Sequence, residues 1–260
     1  MSKWRPVEKN CLYVIPDIYG QFKKLKIITN RILPLRKSDG GKDRLVFLGN
    51  YIDKGKDGHK VLDFLIELKE KYKDRVILLR GHREAMLFKA LNSQYKGDYD
   101  HWYGTGGEAT VIGYLERRNL PPDKPFEITK IRFQDLVPKE HFDFLETELV
   151  DWFETDDAIF VHAGLDLNVP LEDQDKDILY NDKSMYEFAK SLHVKNLKMP
   201  WNKLIVTGHN SNKNGPLINE KFLMLDCSKN SELLVGELNS FEFFTVKNNN
   251  SKLVRFYPDK

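Results

Sequence analysis

The chain has 260 residues, of which 41% are hydrophobic, 31% charged and 12% aromatic, with 16 Gly and 11 Pro. That composition excludes a collagen-like, low-complexity or disordered chain, and the length is ample for a hydrophobic core. The net charge of +2 gives no global reason to expect a nucleic-acid or membrane partner.

From the N-terminus, Met1-Ser2-Lys3-Trp4-Arg5-Pro6 lacks a long apolar run, so no signal peptide is expected. No stretch reaches the ~18 apolar residues of a membrane helix, and a cytoplasmic protein is expected. The first apolar run, Cys11–Pro16, predicts a strand that ends in Asp17-Ile18-Tyr19-Gly20. Gln21–Leu33 then carries Phe22, Leu25, Ile28 and Ile32 at helical spacing. A second strand, Arg44–Gly49, leads into Asn50-Tyr51-Ile52-Asp53-Lys54-Gly55. A helix over Lys60–Tyr72 follows, and a third strand, Arg75–Arg80, leads into Gly81-His82-Arg83-Glu84. Helices are expected over Glu84–Leu91, Glu108–Arg117 and Pro138–Trp152. A fourth strand, Ala158–Ala163, carries His162, and a helix is expected over Ser184–Leu192. A fifth, Leu204–Gly208, leads into His209-Asn210, and a sixth covers Phe222–Asp226. Runs near Glu232–Leu238, Glu242–Val246 and Leu253–Tyr257 alternate and lack long spacers, as in an antiparallel meander, with Asn248-Asn249-Asn250 as a turn.

Alternating strands and helices predict an α/β domain with a largely parallel sheet and an antiparallel C-terminal section. We expect one domain over residues 1–260, a helical insertion at about 85–150, and antiparallel strands at about 221–257. Cys11 and Cys227 lie in apolar runs and read as buried thiols in a reducing compartment, with a disulfide as the less supported alternative. Charge is uneven along the chain. Residues 1–100 carry 22 Lys and Arg against 13 Asp and Glu, and the remainder is acidic. Uneven solvated faces account for this by count alone; an anion site in the first half is the functional alternative.

In an open α/β sheet, function gathers at the carboxyl ends of strands. A lone histidine there is usually a satisfied structural residue. Five polar strand ends together, each beside Gly or a small residue, are harder to dismiss. His82, His162 and His209 could converge on a transition metal. His59, His101, His141 and His193 fall outside these ends and read as exposed or structural. Trp102 and Tyr103 read as core, with a cleft wall as the alternative.

The order and spacing of these segments resemble the calcineurin-like metallophosphoesterases, nearest the phosphoprotein phosphatase branch with bacterial and phage Ser/Thr phosphatases and symmetrical diadenosine tetraphosphatases. That family's pattern is GDxHG, GDxxDRG, GNHE, a later His in a VHAG-like sequence, and GH. Thr105-Gly106-Gly107-Glu108-Ala109-Thr110 resembles its NGGEAT-like segment. The resemblance spans roughly residues 11–240. It implies a central β-sandwich of mixed sheets flanked by helices. It also implies two divalent metals bridged by an Asp, a metal-bound hydroxide attacking phosphorus, arginines on the phosphate oxygens and a His as general acid.

Carried over residue by residue, the match is partial. Asp17 keeps the first metal-binding carboxylate, Pro16 stands for Gly, and Tyr19 stands for the ligand His. Asn50 replaces the bridging Asp. Asp53 keeps its place, and Lys54 replaces the following Arg. Arg80 keeps a phosphate-binding Arg. His82 replaces the ligand Asn, and Arg83 replaces the general-acid His. Glu84, His162 and His209 are kept. In a loose alignment of Leu179-Tyr180-Asn181-Asp182, Asp182 stands for a substrate-binding Arg. The implied assignments are Asp17, Asn50, His82, His162 and His209 as metal positions, Asp53, Arg80 and Arg83 as the catalytic set, and Lys54, Arg80 and Arg83 as the phosphate-binding set.

The altered positions, Pro16, Tyr19, Asn50, His82 and Arg83, change the chemistry. A neutral amide poorly compensates two close dications. Arg83 does not deprotonate and cannot donate a proton. A normal dinuclear centre is therefore not expected. Three readings stand. One is a pseudophosphatase whose Lys54, Arg80 and Arg83 still hold a phosphorylated or anionic ligand. Another is a remodelled enzyme with one divalent metal, Zn or Mn, at His82, His162 and His209. The third is a scaffold for a protein partner.

Overall fold

The computed structural model describes residues 11–38, 41–122, 130–191, 199–212, 214–227, 232–247 and 250–255. His193, the Asn248-Asn249 turn and the N-terminal hexapeptide lie outside the described residues. Thirteen strands and nine α-helices are described there. The first sheet runs β13-β12-β11-β1-β4-β5, with β1 Leu12–Ile15, β4 Arg44–Phe47, β5 Val76–Leu78, β11 Glu232–Glu237, β12 Glu242–Lys247 and β13 Asn250–Arg255. The second runs β6-β7-β8-β10-β9, with β6 Trp152–Glu154, β7 Ala158–Val161, β8 Leu204–Thr207, β9 Leu217–Ile218 and β10 Phe222–Met224. A short ribbon pairs β2 Lys37–Ser38 with β3 Gly41–Lys42.

Strand alternation builds the layers. Leu12 and Val14 of β1 face one way with Val46 and Ile77, against Phe160, Val206 and Leu223 of the second sheet. Tyr13 and Ile15 face the other way, into a core shared with α1 Phe22–Ile32 and α2 Gly58–Tyr72. The outer face of the second sheet is covered by α8 Lys176–Asn181 and α9 Ser184–Ala189 through Leu179, Tyr180 and Met185. The insertion supplies α3 His82–Asn92, α4 Lys96–Trp102, α5 Glu108–Arg117, α6 Lys130–Leu136 and α7 Lys139–Thr147.

The mixed-sheet sandwich flanked by helices is therefore present. Three details differ from the expectations. The parallel strands divide between two sheets, because β7 and β8 pair with each other and not with β5. Trp152 opens β6 instead of ending a helix, because Trp152–Glu154 pairs antiparallel with β7. Within the span expected to be antiparallel, β10 runs parallel to β8, beside which it lies, and only β11–β13 form the meander. His59 and His141, expected as exposed or structural, are buried. His141 joins Tyr114 Oη at 2.7 Å to Asp63 Oδ1 at 3.0 Å, tying α5 and α7 to α2.

Candidate active-site cleft

The loops after β1, β4, β5, β7 and β8 meet in one cleft, roofed by the Thr105–Gly107 turn. Backbone bonds staple the first two loops: Ile18 and Tyr19 N–H donate to the Asn50 carbonyl at 3.1 and 2.8 Å, and Gly20 N–H to that of Tyr51 at 2.9 Å. Gly208 N–H donates to the His162 carbonyl at 2.9 Å. Two glycines permit the close approach. A Cβ on Gly208 would lie 2.5 Å from Asp17 Oδ1, and one on Gly49 would lie 2.5 Å from the Gly81 Cα. Tyr19, Asn50, Asp53, Lys54 and His209 all have positive φ, between 48° and 68°. Such conformations persist only where surrounding structure over-determines them, and they concentrate at functional sites.

Glu84 holds the centre. It is fully buried and accepts N–H bonds from Asn50 and Tyr51 at 2.8 Å, Gly81 at 3.0 Å and Ile52 at 3.4 Å. Burial raises its pKa, while the His162 charge and those backbone donors oppose the rise.

Asn50 is fully buried, and its amide has one orientation. Nδ2 donates to Asp17 Oδ2 at 2.5 Å and to Tyr19 Oη at 3.0 Å, while Oδ1 accepts from Arg83 N–H at 2.8 Å. Turned over, the oxygen would face the carboxylate and the NH₂ would face an N–H donor. Asp17 Oδ1 in turn accepts from His209 N–H at 2.7 Å. The Lys54 ammonium lies 3.6 Å from the Tyr19 ring centroid. Desolvation first, and the charge of Arg83 second, lower the Lys54 pKa. Burial pushes the Tyr19 hydroxyl far up and keeps it neutral.

The histidines form the other side. His162 Nδ1 lies 2.6 Å from the Leu48 carbonyl, which only accepts, so Nδ1 carries the proton. His162 Nε2 lies 3.2 Å from His209 Nδ1, close enough for one ring to donate to the other. The His82 and His209 rings stand edge to face with centroids 5.2 Å apart. Burial, reinforced by Arg83 and His162, lowers His82 to about 4. Burial, then His162 and His82, lowers His209 to about 2. Among the described residues, no group of three or more His, Cys, Asp or Glu is arranged to hold a metal ion.

Asp53 is buried below Arg83. Its Oδ1 accepts from Thr110 Oγ1 at 2.7 Å and its Oδ2 from Trp102 Nε1 at 3.0 Å. Burial raises its pKa to about 7, against the pull of Thr110, Arg83 and Trp102. Arg83 donates to the Thr105 carbonyl at 2.9 Å and stands 4.0 Å from Asp53 Oδ2. Its Nε is buried with no hydrogen-bond partner.

The structure thus brings Asp17, Tyr19, Asn50, Asp53, Lys54, His82, Arg83, His162 and His209 into one cleft, with Pro16 buried just before Asp17. Arg80 makes its side-chain contacts with other residues. It stacks on Phe88 at 4.9 Å, donates to the Glu146 carbonyl at 3.3 Å and faces Asp151 at 3.9 Å. There it lines a cavity of about 460 Å³ with Lys176 and Tyr180, next to the pocket lined by His82. Asp182 does not reach for a ligand either: its carboxylate accepts from Ser184 and Met185 N–H at the start of α9. Two site residues escaped sequence reasoning. Thr110 lies inside a quoted motif without a role there. Asp226 is buried and acts electrostatically on Tyr19 and Lys54. It ends an apolar strand as Asp17 does, and that shared pattern is the signal that could have found it.

Comparison with known proteins agrees with this architecture. A serine/threonine-protein phosphatase of Caenorhabditis elegans is 36% identical over 93 residues, which are 36% of this chain and 24% of that protein. Serine/threonine-protein phosphatase SIT4 of Candida albicans is 34% identical over 115 residues, 44% of this chain and 34% of its own length. The matched segments thus span a quarter to a third of these relatives. A crystal structure described as a diadenosine tetraphosphatase superposes with a TM-score of 0.55 at 16% identity, covering 98% of this chain and 96% of that one. The cold-active protein-tyrosine phosphatase of a psychrophilic Shewanella gives 0.51 at 18% identity, with 95% and 80% covered. These two likenesses concern the fold. The calcineurin-like phosphoesterase family model matches residues 12–223. With that match spanning most of the sandwich and every strand-end loop of the cleft, the chain belongs to the calcineurin-like phosphoesterase family.

Proposed function

We propose that this chain is a pseudophosphatase: it keeps the phosphoesterase cleft and binds a phosphorylated or other anionic ligand there, without efficient phosphoester hydrolysis. One observation carries the reading. Arg83 is a permanent cation set beside Lys54, and its buried Nε–H has no acceptor. A buried charged donor left unpaired is costly, and two neighbouring cations whose side chains reach the cleft favour an anion's oxygens beside them. Arg83 also stands where the family has its proton donor, which a guanidinium cannot replace.

The family's pair of divalent metals does not fit these donors. The bridging position holds an amide that presents N–H groups, and a phenol stands for an imidazole. No catalytic step is therefore assigned to a metal pair. With both thiols free, cytoplasmic placement is part of the same reading.

Calorimetry with inorganic phosphate and a phosphoserine peptide, in buffer containing chelator, tests it. Arg83→Ala should weaken binding about 10- to 100-fold, the range of one charged hydrogen bond. Arg80→Ala should change it less than threefold, since Arg80 faces the other cavity. Binding unchanged by Arg83→Ala, or turnover of p-nitrophenyl phosphate with Mn²⁺ that Asp17→Ala abolishes, would end the proposal.

A second reading is an active phosphatase with one Zn or Mn near His82, His162 and His209. The His162 and His209 nitrogens, 3.2 Å apart, favour it. Two ligands about 2.1 Å from a tetrahedral zinc lie about 3.4 Å apart, and a backbone carbonyl anchoring the second nitrogen of His162 is usual around such ligands. Near-stoichiometric zinc, lost in His162→Ala, would support this reading.

A further inference from the structure

At the Asp17 end of the cleft, the directions of the Asn50 amide oppose a metal ion. The Asn50 amide turns both hydrogens toward Asp17 and Tyr19, and its oxygen is committed to Arg83 N–H. A cation placed between Asp17 and Asn50 would meet N–H protons in place of lone pairs. The amide cannot turn over, for the reason given above. Both Asp17 oxygens already accept hydrogen bonds, from Asn50 Nδ2 and His209 N–H. Two further features concern charge. The Lys54 ammonium sits over the Tyr19 ring at 3.6 Å. Asp17 and Asp226, both buried, attract that ammonium. An ammonium therefore already serves the carboxylates that a dication would need. Tyr19, Asn50 and Lys54 all hold positive φ, so this network sits on over-determined backbone.

We propose that the first-metal position of the family is closed in this chain by the Asp17–Asn50–Tyr19 hydrogen-bond network, and that Lys54 supplies the positive charge there, so the cleft takes its anion without a divalent metal at that position. This rests on the anion-binding reading. It adds that chelation does not impair ligand binding, and it names the residues responsible.

The test uses metal content and thermal unfolding, with no ligand present. Wild type, Asp17→Asn and the triple variant Tyr19→His/Asn50→Asp/Lys54→Ala are each dialysed against Mn²⁺ and analysed. Wild type and Asp17→Asn should hold the same metal content, and about 1 mM Mn²⁺ should move neither melting temperature through this position. The triple variant gains a carboxylate and an imidazole and loses a cation. It should take up about one equivalent of Mn²⁺ and melt about 5–10 °C higher with the metal present. A wild-type metal that Asp17→Asn loses would overturn the proposal, and so would a folded triple variant blind to Mn²⁺. Metal held equally by wild type and Asp17→Asn but lost in His162→Ala belongs to the imidazole side and leaves the closed position supported. If the triple variant does not fold, Asn50→Asp alone must bind more Mn²⁺ than wild type, or the proposal fails. Absent phosphate binding alongside a metal-blind wild type would sink the ligand reading alone.

Discussion

The two sides of the cleft have diverged to different extents. On one side stand His162 and His209, with His82 against them. The pKa values of His82 and His209 are lowered, and His162 is anchored on a backbone carbonyl, an arrangement suited to ligation as well as to packing. On the other side, Asp17 is the one residue with metal-binding chemistry that persists, and it is tied into a network of amide, phenol and ammonium. Under the proposal above, the difference is that of a metal site taken apart one half at a time. Imidazoles tolerate the loss of a metal because a neutral ring packs and hydrogen-bonds. Paired carboxylates do not, because unpaired buried anions are costly without a counter-charge. An amide at the position of the family's bridging carboxylate and the Lys54 ammonium beside Asp17 are, under that proposal, an electrostatically matched pair of changes.

Four perturbations would break or sharpen this contrast. The largest concerns the frame that serves both sides. Glu84→Ala orphans four buried or near-buried N–H groups and should cost about 3–5 kcal/mol in urea unfolding. A loss under about 1 kcal/mol would mean that the loops are held independently, and the two sides could not be compared as parts of one frame.

Asp53 comes next. Its folded pKa of about 7 exceeds the ordinary 3.8, so the folded chain keeps a proton that the unfolded chain releases. Its stabilising contribution is fully present below about pH 4 and is lost as pH rises to about 7, up to about 4 kcal/mol in all. Denaturant midpoints measured across that window should fall in wild type and flatten in Asp53→Asn. An unchanged slope in the variant would exclude Asp53 as its source.

Asn50→Ala should cost about 2 kcal/mol, because Asp17, Tyr19 and Arg83 N–H each lose a partner in the interior. A neutral result would show that the Asp17 side is not an integrated network. The smallest effect is that of Lys54→Ala on stability, under about 1 kcal/mol, since the residue is solvent-exposed and water screens both its cation–π contact and the pull of Asp17 and Asp226. Calorimetry should nevertheless show weaker phosphate binding in that variant. The reverse pattern, large on stability and absent on binding, would make Lys54 structural.

Much of the frame was legible. Nine expected strands have counterparts, because short β-branched runs ending in Gly or Asp have few alternatives. Helices α4, α6 and α8 were not foreseen, since Lys96–Trp102 and Lys176–Asn181 are short and largely polar. For the site, the strand-end positions of Asp17, Asn50, Asp53, His162 and His209 were readable and the structure gathers them. Arg80 and Arg83 sit three residues apart and were grouped together. They diverge because Arg80 still belongs to the β5 extension, bonded to Val150, whereas Arg83 lies on the first turn of α3.

By itself, the sequence determined the order of the strand-end motifs and the loss of carboxylate and imidazole among them, because residue identity and chain spacing are one-dimensional facts. Only the tertiary structure decided which way the Asn50 amide faces, how the parallel strands divide between two sheets, and which cations share a cleft. Those depend on partners 30 or more residues away: Asp17 and Arg83 around Asn50, β8 beside β7, and Asp151 beside Arg80. Hydrogen-bond direction is a property of the assembled neighbours, and no spacing along the chain encodes it.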